Sequence, residues 1–281
     1  MPNTPNEAVL AYDDQEFLRS DDGRPMRILA EYLEPLHRFR LAHISETIVF
    51  FGSARLTEDG PLGRYYQDAR ALARILTQWS RSLQSGANRY VVCSGGGGGI
   101  MEAANRGAAE AGGRTIGLNI SLPHEQRPNP YLSPEETFEF HYFFMRKLWF
   151  AYMSKALVVF PGGFGTLDEM FEVLTLAQTH KLAKKITVVI YGSEYWKKVF
   201  NLDVLVDTGA ISPNDIELFQ FADTPEAAFE MLKNGLTENY LVPEAASRNA
   251  HPPAEGRTDE EPPRGPLVEE FLAPDLAKTI K

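Results

Sequence analysis

The chain has 281 residues, 43% hydrophobic and 23% charged, an ordinary globular composition and long enough to bury one sizeable core. A formal charge of −10 with no cluster of lysine and arginine argues against a nucleic-acid surface, and the lack of any long apolar span argues against a membrane anchor. One cysteine, Cys93, leaves no internal disulfide, and no charged-then-apolar leader opens the sequence, so a reducing cytoplasm is the expected compartment.

In chain order, residues 1 to about 12 carry two prolines and little apolar pattern, which reads as a disordered start. Over residues 13–43, Ile28, Leu29, Tyr32, Leu33, Leu36, Phe39 and Leu41 lie close to a helical stripe, and Pro35 predicts an interruption of it. Residues 47–51 are a β-branched and aromatic run entering the tight turn Gly52-Ser53-Ala54-Arg55, followed by an amphipathic helix over 61–83. Residues 90–94 repeat the pattern, with five glycines at 95–99 and a helix that stops at Gly112 and Gly113. A third strand is expected over 115–120, a long exposed loop over 122–134, and a short strand over 137–140. The helix holding Met145, Arg146 and Lys147 comes next.

Residues 157–160 form an unbroken apolar run, the pattern of a parallel strand covered on both faces. Pro161, Gly162, Gly163 and Gly165 then forbid regular structure, and Leu167, Phe171, Leu174 and Leu176 resume a helical spacing. Thr166 is the expected N-cap. Three glycines ahead of a cap are more than a cap needs, whereas the N–H groups of such a turn, together with a helix N-terminus, hold a phosphate. Thr166 and Glu169 also have capping-box spacing, so a cap and a functional carboxylate both stay open for Glu169.

Strands over 186–191 and 218–222 and helices over 195–206 and 225–241 complete the alternation. A doubly wound, Rossmann-like α/β fold follows, with a mostly parallel sheet and helices on both faces. The expected divisions are a partly helical N-terminal extension (1–44), the nucleotide-binding domain (45–242) and a tail (243–281). Proline and charge dominate that tail, which reads as disordered with at most a short docking segment over 267–276.

The glycines at 95–99 lie between strand and helix, the context in which such a run binds a ligand rather than serving as a linker. Gly95-x-Gly97-x-x-Ile100 lacks the third small residue of a dinucleotide fingerprint, and no Gly-Lys-Ser/Thr follows as in a P-loop, so a mononucleotide or sugar phosphate is the better fit. Ser53, in the first strand–helix turn, is a candidate donor to that phosphate. A helix between parallel strands starts at the sheet's carboxyl edge, so Arg146 and Glu169 should meet at one cleft, where ligands of such sheets bind. The six histidines have no metal-ligand spacing, Cys93 reads as core, and Thr179-His180-Lys181 is only a faint echo of a pyridoxal phosphate lysine. No metal and no cofactor are expected.

Four segments together resemble one family: Phe-Gly-Ser-Ala-Arg at 51–55, the glycine run with Ile-Met-Glu-Ala-Ala-Asn-Arg-Gly-Ala at 94–108, Met-Arg-Lys at 145–147, and Pro-Gly-Gly-Phe-Gly-Thr-Leu-Asp-Glu at 161–169. It is the Lonely Guy family of cytokinin riboside 5′-monophosphate phosphoribohydrolases, long labelled lysine decarboxylase-like, and the resemblance covers about residues 45–240. The resemblance implies hydrolysis of the N-glycosidic bond of a nucleoside 5′-monophosphate, AMP or an N6-modified AMP, to free base and ribose 5-phosphate. By motif it implies Arg146 and Glu169 as the catalytic pair and Lys147, Gly162, Gly163, Gly165, Thr166, Asp168 and Thr175 as nucleotide contacts. Ser53, Gly96, Gly97 and Met145 are added to the candidate binding residues. The chain departs from the plant enzymes in its extra terminal segments and in Gly-Ile-Met-Glu where they have Gly-Leu-Met-Gly. A non-catalytic nucleotide or phosphorylated-cofactor carrier of the same fold is the alternative, because fold does not dictate chemistry. Family members are commonly dimers. The apolar residues Leu148, Trp149, Phe150, Tyr152 and Met153, with Met170, Phe171, Leu174 and Leu176 on the next helix, are expected to supply a homodimer surface beyond what one sheet face covers.

Overall fold

The sheet is built outward from its first strand. The run Thr-Ile-Val-Phe-Phe forms β1 (Thr47–Phe51), buried along its whole length and paired in parallel with both β2 (Val91–Ser94) and β5 (Ser154–Val159). A strand without a polar side needs cover on both faces, and the centre of a parallel sheet supplies it. The computed structural model describes residues 8–83, 88–122, 127–182 and 184–242. Among these, β3 (Thr115–Ile120), β4 (Thr137–Phe140), β6 (Thr187–Tyr191) and β7 (Gln220–Ala222) complete a seven-stranded sheet of order β4-β3-β2-β1-β5-β6-β7. Every pairing between these strands is parallel. The chain moves from β1 out to β4, then returns to the other side of β1 for β5. Direction therefore reverses between β1 and β5, and the loops after these two strands flank a crevice at the carboxyl edge.

Helices α3 (Gly63–Ser82), α4 (Ile100–Glu110) and α9 (Pro225–Leu236) pack a core on one face, around Leu72, Leu76, Ile100 and Leu232. On the other face, α2 (Arg24–Leu41), α5 (Phe143–Met153), α6 (Phe164–Gln178) and α7 (Ser193–Val199) gather Phe39, Trp149, Met170 and Trp196 over the sheet. The N-terminal extension thus shares the main core. A short α1 (Gln15–Arg19), capped by Asp14, precedes it. No described helix is long and apolar enough to cross a membrane.

Three expectations are corrected. Pro35 does not interrupt α2, which runs unbroken for 18 residues. The missing N–H of Pro35 would leave the carbonyl of Glu31 without a partner, and Trp149 Nε1 donates to that carbonyl at 3.0 Å instead. The helix expected over 195–206 is two: α7 ends, and Asn201 accepts from the N–H of Asp203 to cap a new start, α8 (Leu202–Asp207). The last strand is shorter than expected because Pro213–Leu218 forms a 3-10 turn, closed by a Ser212/Asp215 capping box. The disordered start falls partly, and the tail wholly, outside the described residues.

Candidate functional site

The crevice is walled by the three loops that follow β1, β2 and β5. Ser53 stitches them together: its N–H donates to the carbonyl of Pro161 at 3.0 Å, and its carbonyl accepts from the N–H of Ile100 at 3.1 Å. Its hydroxyl accepts from the N–H of Arg55.

The second loop is fixed from beneath. Ser94 Oγ donates to Asn105 Oδ1 at 2.7 Å and accepts from the N–H of Gly96, while Asn105 Nδ2 donates to Thr115 Oγ1. Asn129 Nδ2 donates to the carbonyls of Gly96 and Gly97 and to Asn105 Oδ1. This buried network satisfies its members mutually, which makes it a rigid floor. Gly96 has φ 73° and lies flat on the Asn119 amide, 2.5 Å from where a methyl group would be, so a side chain is excluded on both counts. Gly96 and Gly97 are themselves buried. Sequence reasoning missed Asn105, Thr115, Asn119 and Asn129, whose partners are distant in the chain and leave no local signature.

The third loop leads into α6, whose first residue is Phe164 and whose N-cap is Gly163 without any side-chain cap. Thr166 therefore sits inside the helix rather than capping it, buried and folded back over Gly162, where a β-carbon would fall 2.1 Å from its hydroxyl. This corrects both the cap and the capping box, and it leaves the first-turn N–H groups and the positive end of the helix dipole facing the crevice. A β-carbon at Gly163 or Gly165 would meet nothing within 4 Å. The protein's own packing does not require glycine at either position.

Arg146 and Glu169 meet across the crevice, as the topology predicted. Arg146 Nη2 donates to Glu169 Oε1 at 3.1 Å, with side chains only 11% and 14% exposed. The guanidinium also lies over the rings of Phe143 and Phe150. Burial pushes the Glu169 carboxyl up to about 7, against the pull of Arg146, and burial lowers Arg146 against the pull of Glu169. Lys147 binds Asp168 and Glu172, both at about 3 Å; burial works against its charge, but these carboxylates outweigh it and its pKa is raised. Phe51, Phe150 and Val173 complete a small cleft beside Glu169.

Met145 is buried in the core next to these residues. Thr175 is not brought to the crevice: it is exposed on α6, about 16 Å along the axis from the first turn. Cys93 is buried and its thiol pushed far up by burial. Among the described residues, no group of three or more His, Cys, Asp and Glu could hold a metal ion.

A model of the family described as "possible lysine decarboxylase" matches residues 101–232, which include Arg146, the glycine loop and Glu169. Among curated proteins, cytokinin riboside 5′-monophosphate phosphoribohydrolase LOG3 of Arabidopsis thaliana is 28% identical over 148 residues, 52% of this chain and 67% of its own length. These matches show that the chain is similar to the Lonely Guy family. Two further family members from the same plant, LOG4 and LOG5, are each 27% identical and are matched over 67% and 62% of their lengths. The chain thus spans roughly three fifths to two thirds of these Lonely Guy relatives. Solved structures with a similar backbone include a molybdenum cofactor carrier protein from Chlamydomonas reinhardtii, at 22% identity and a TM-score of 0.47 over 69% of this chain and 99% of that one. A molybdenum cofactor binding protein from Rippkaea orientalis matches at 18% identity and a TM-score of 0.47, over 68% and 96%.

Proposed function

We propose that the chain hydrolyses the N-glycosidic bond of a purine nucleoside 5′-monophosphate, AMP or an N6-modified AMP, releasing the base and ribose 5-phosphate. The observation that carries this reading is the buried Arg146–Glu169 pair, 3.1 Å apart, beside a helix N-terminus that no side chain caps. The substrate phosphate binds the N–H groups at Gly163 to Thr166, with Arg146 and Lys147 supplying positive charge. Anchoring the phosphate orients the ribose, turning remote binding into alignment of the reacting carbon. Loss of a base from ribose passes through an oxocarbenium-like state, which an adjacent carboxylate stabilises while taking a proton from the attacking water. Glu169, with its carboxyl pushed up to about 7, is poised as a base at neutral pH. Gly163 and Gly165, with open space where a side chain would project, let the phosphate approach the backbone.

The working form is a homodimer in this reading. Trp149, Phe150, Met153 and Met170 are buried within one chain, but Phe164, in the first turn of α6, is 93% exposed, and Phe143, Phe144, Leu148 and Phe171 are further exposed apolar residues on α5 and α6. Incubation with AMP, followed by chromatography for adenine and ribose 5-phosphate, tests the reaction. Saturable AMP binding without release of adenine would leave the carrier reading in its stead.

A further inference from the structure

The reaction proposed above needs a proton for the departing base, and neither Arg146 nor an ionised Glu169 supplies one. A second carboxylate stands at the same sheet edge. Glu139 of β4 pairs in parallel register with Asn119 of β3, so both side chains leave the sheet on the same face. The Asn119 amide lies against Gly96 in the second loop, fully buried, and its Oδ1 has no partner. A β-carbon at the neighbouring Gly95 would come within 3.9 Å of the Arg146 guanidinium, and Arg146 holds Glu169. An unbroken series of contacts and register therefore runs along the carboxyl edge from Glu139 to Glu169. The charge of Arg146 acts on Glu139 as it does on Glu169, so one guanidinium links the two carboxyls across the crevice. With phosphate at α6 and ribose at Glu169, the base extends over the second loop toward β4.

We propose that Glu139 is the acid of the reaction, donating its proton to the base as the glycosidic bond breaks. This rests on the hydrolase reading. The bond between C1′ and the base nitrogen breaks with its electron pair going to the base, and the Glu139 carboxyl proton goes to a base nitrogen. The water oxygen bonds to C1′ and its proton goes to Glu169; both carboxyls then re-equilibrate with solvent. The environment is consistent: burial raises the Glu139 carboxyl, with the charge of Arg146 opposing, and Glu139 stays open to solvent, where a base can reach it. The competing account is that Glu139 is a charge guarding the edge strand β4 against pairing.

The test compares AMP with p-nitrophenyl ribose 5-phosphate, whose leaving group departs without protonation. Wild-type protein is expected to cleave both, and Glu169→Gln neither. Glu139→Gln is expected to lose at least about a hundredfold in kcat on AMP and far less on the nitrophenyl compound, with an unchanged melting temperature. Equal losses on both substrates, or no loss on either, would overturn the assignment of Glu139 while leaving the hydrolase intact. Glu139→Asp, which keeps the proton but shortens the reach, should restore part of the AMP activity; failure to exceed the glutamine variant also counts against it. A wild-type protein inactive on both compounds removes the hydrolase reading and this inference with it.

Discussion

Burial and Arg146 pull Glu169 in opposite directions, and burial wins, pushing the carboxyl from its ordinary 4.5 up to about 7. In the proposed roles Glu169 acts ionised and Glu139 protonated, so kcat/KM for AMP should follow a bell, rising as Glu169 ionises and falling as Glu139 does. Arg146→Met removes the charge that holds Glu169 down, so the rise should move to higher pH in the variant; an unmoved profile would mean that Arg146 does not govern this proton. Glu169→Gln should keep the fold and lose at least about a hundredfold in activity, and unchanged turnover would reduce Glu169 to a structural role. Stability follows the same proton. Its folded pKa is raised above the unfolded value, so the stabilisation Glu169 contributes is full below about pH 4.5 and is lost as pH rises through about 7. Melting temperatures taken between pH 5 and 8 should therefore fall less in Glu169→Gln than in the wild type.

Helix α2 acts as a buttress for the helix that carries Arg146. The Glu31 carboxylate accepts from the N–H groups of His141 and Tyr142, just ahead of α5, and the Glu31 carbonyl accepts from Trp149 on α5 itself. Trp149→Phe would strand that carbonyl in the interior, at a cost of about 1–3 kcal/mol in urea unfolding. Pro35→Ala supplies the N–H that the proline lacks. The double variant should therefore be less destabilised than Trp149→Phe alone, and strict additivity would refute the exchange of partners. The second loop has its own support in Asn105, which links Ser94, Thr115 and Asn129. Asn105→Ala leaves several buried polar groups unmatched and should loosen the Gly95–Gly99 loop, seen as faster amide exchange there than in the rest of the sheet.

The whole molecule brings its chemistry to the reversal point of the sheet, where loops from strands far apart in sequence meet. Phe143, Phe144, Phe164 and Phe171 are exposed on the two helices that carry Arg146 and Glu169, so a partner chain seated on them would pack beside the crevice. Light scattering on a dilution series, run beside an AMP assay, should show activity falling as a dimer dissociates. A fully active monomer contradicts that assembly.

The strands at residues 47–51, 115–120 and 137–140 are legible from the chain to the residue, and so is the glycine loop at 95–99, whereas the later loop ends at Gly163 and Gly165 lies inside α6. Backbone preference and side-chain alternation act between near neighbours, and sequence displays near neighbours directly. Arg146 and Glu169 could be brought to one edge by topology alone, because a crossover helix has only one direction. What the chain could not decide was every choice between a local partner and a distant one. Glu169 had a cap three residues away and an arginine twenty-three residues back, and packing gave it the arginine. Pro35 had to break its helix on local grounds, until Trp149, more than a hundred residues on, took up the freed carbonyl. Strand order, the floor of asparagines and the nearness of Glu139 to Asn119 belong to the same class. Each is set by which surfaces are buried together, and that is a property of the assembled layers rather than of any stretch of chain.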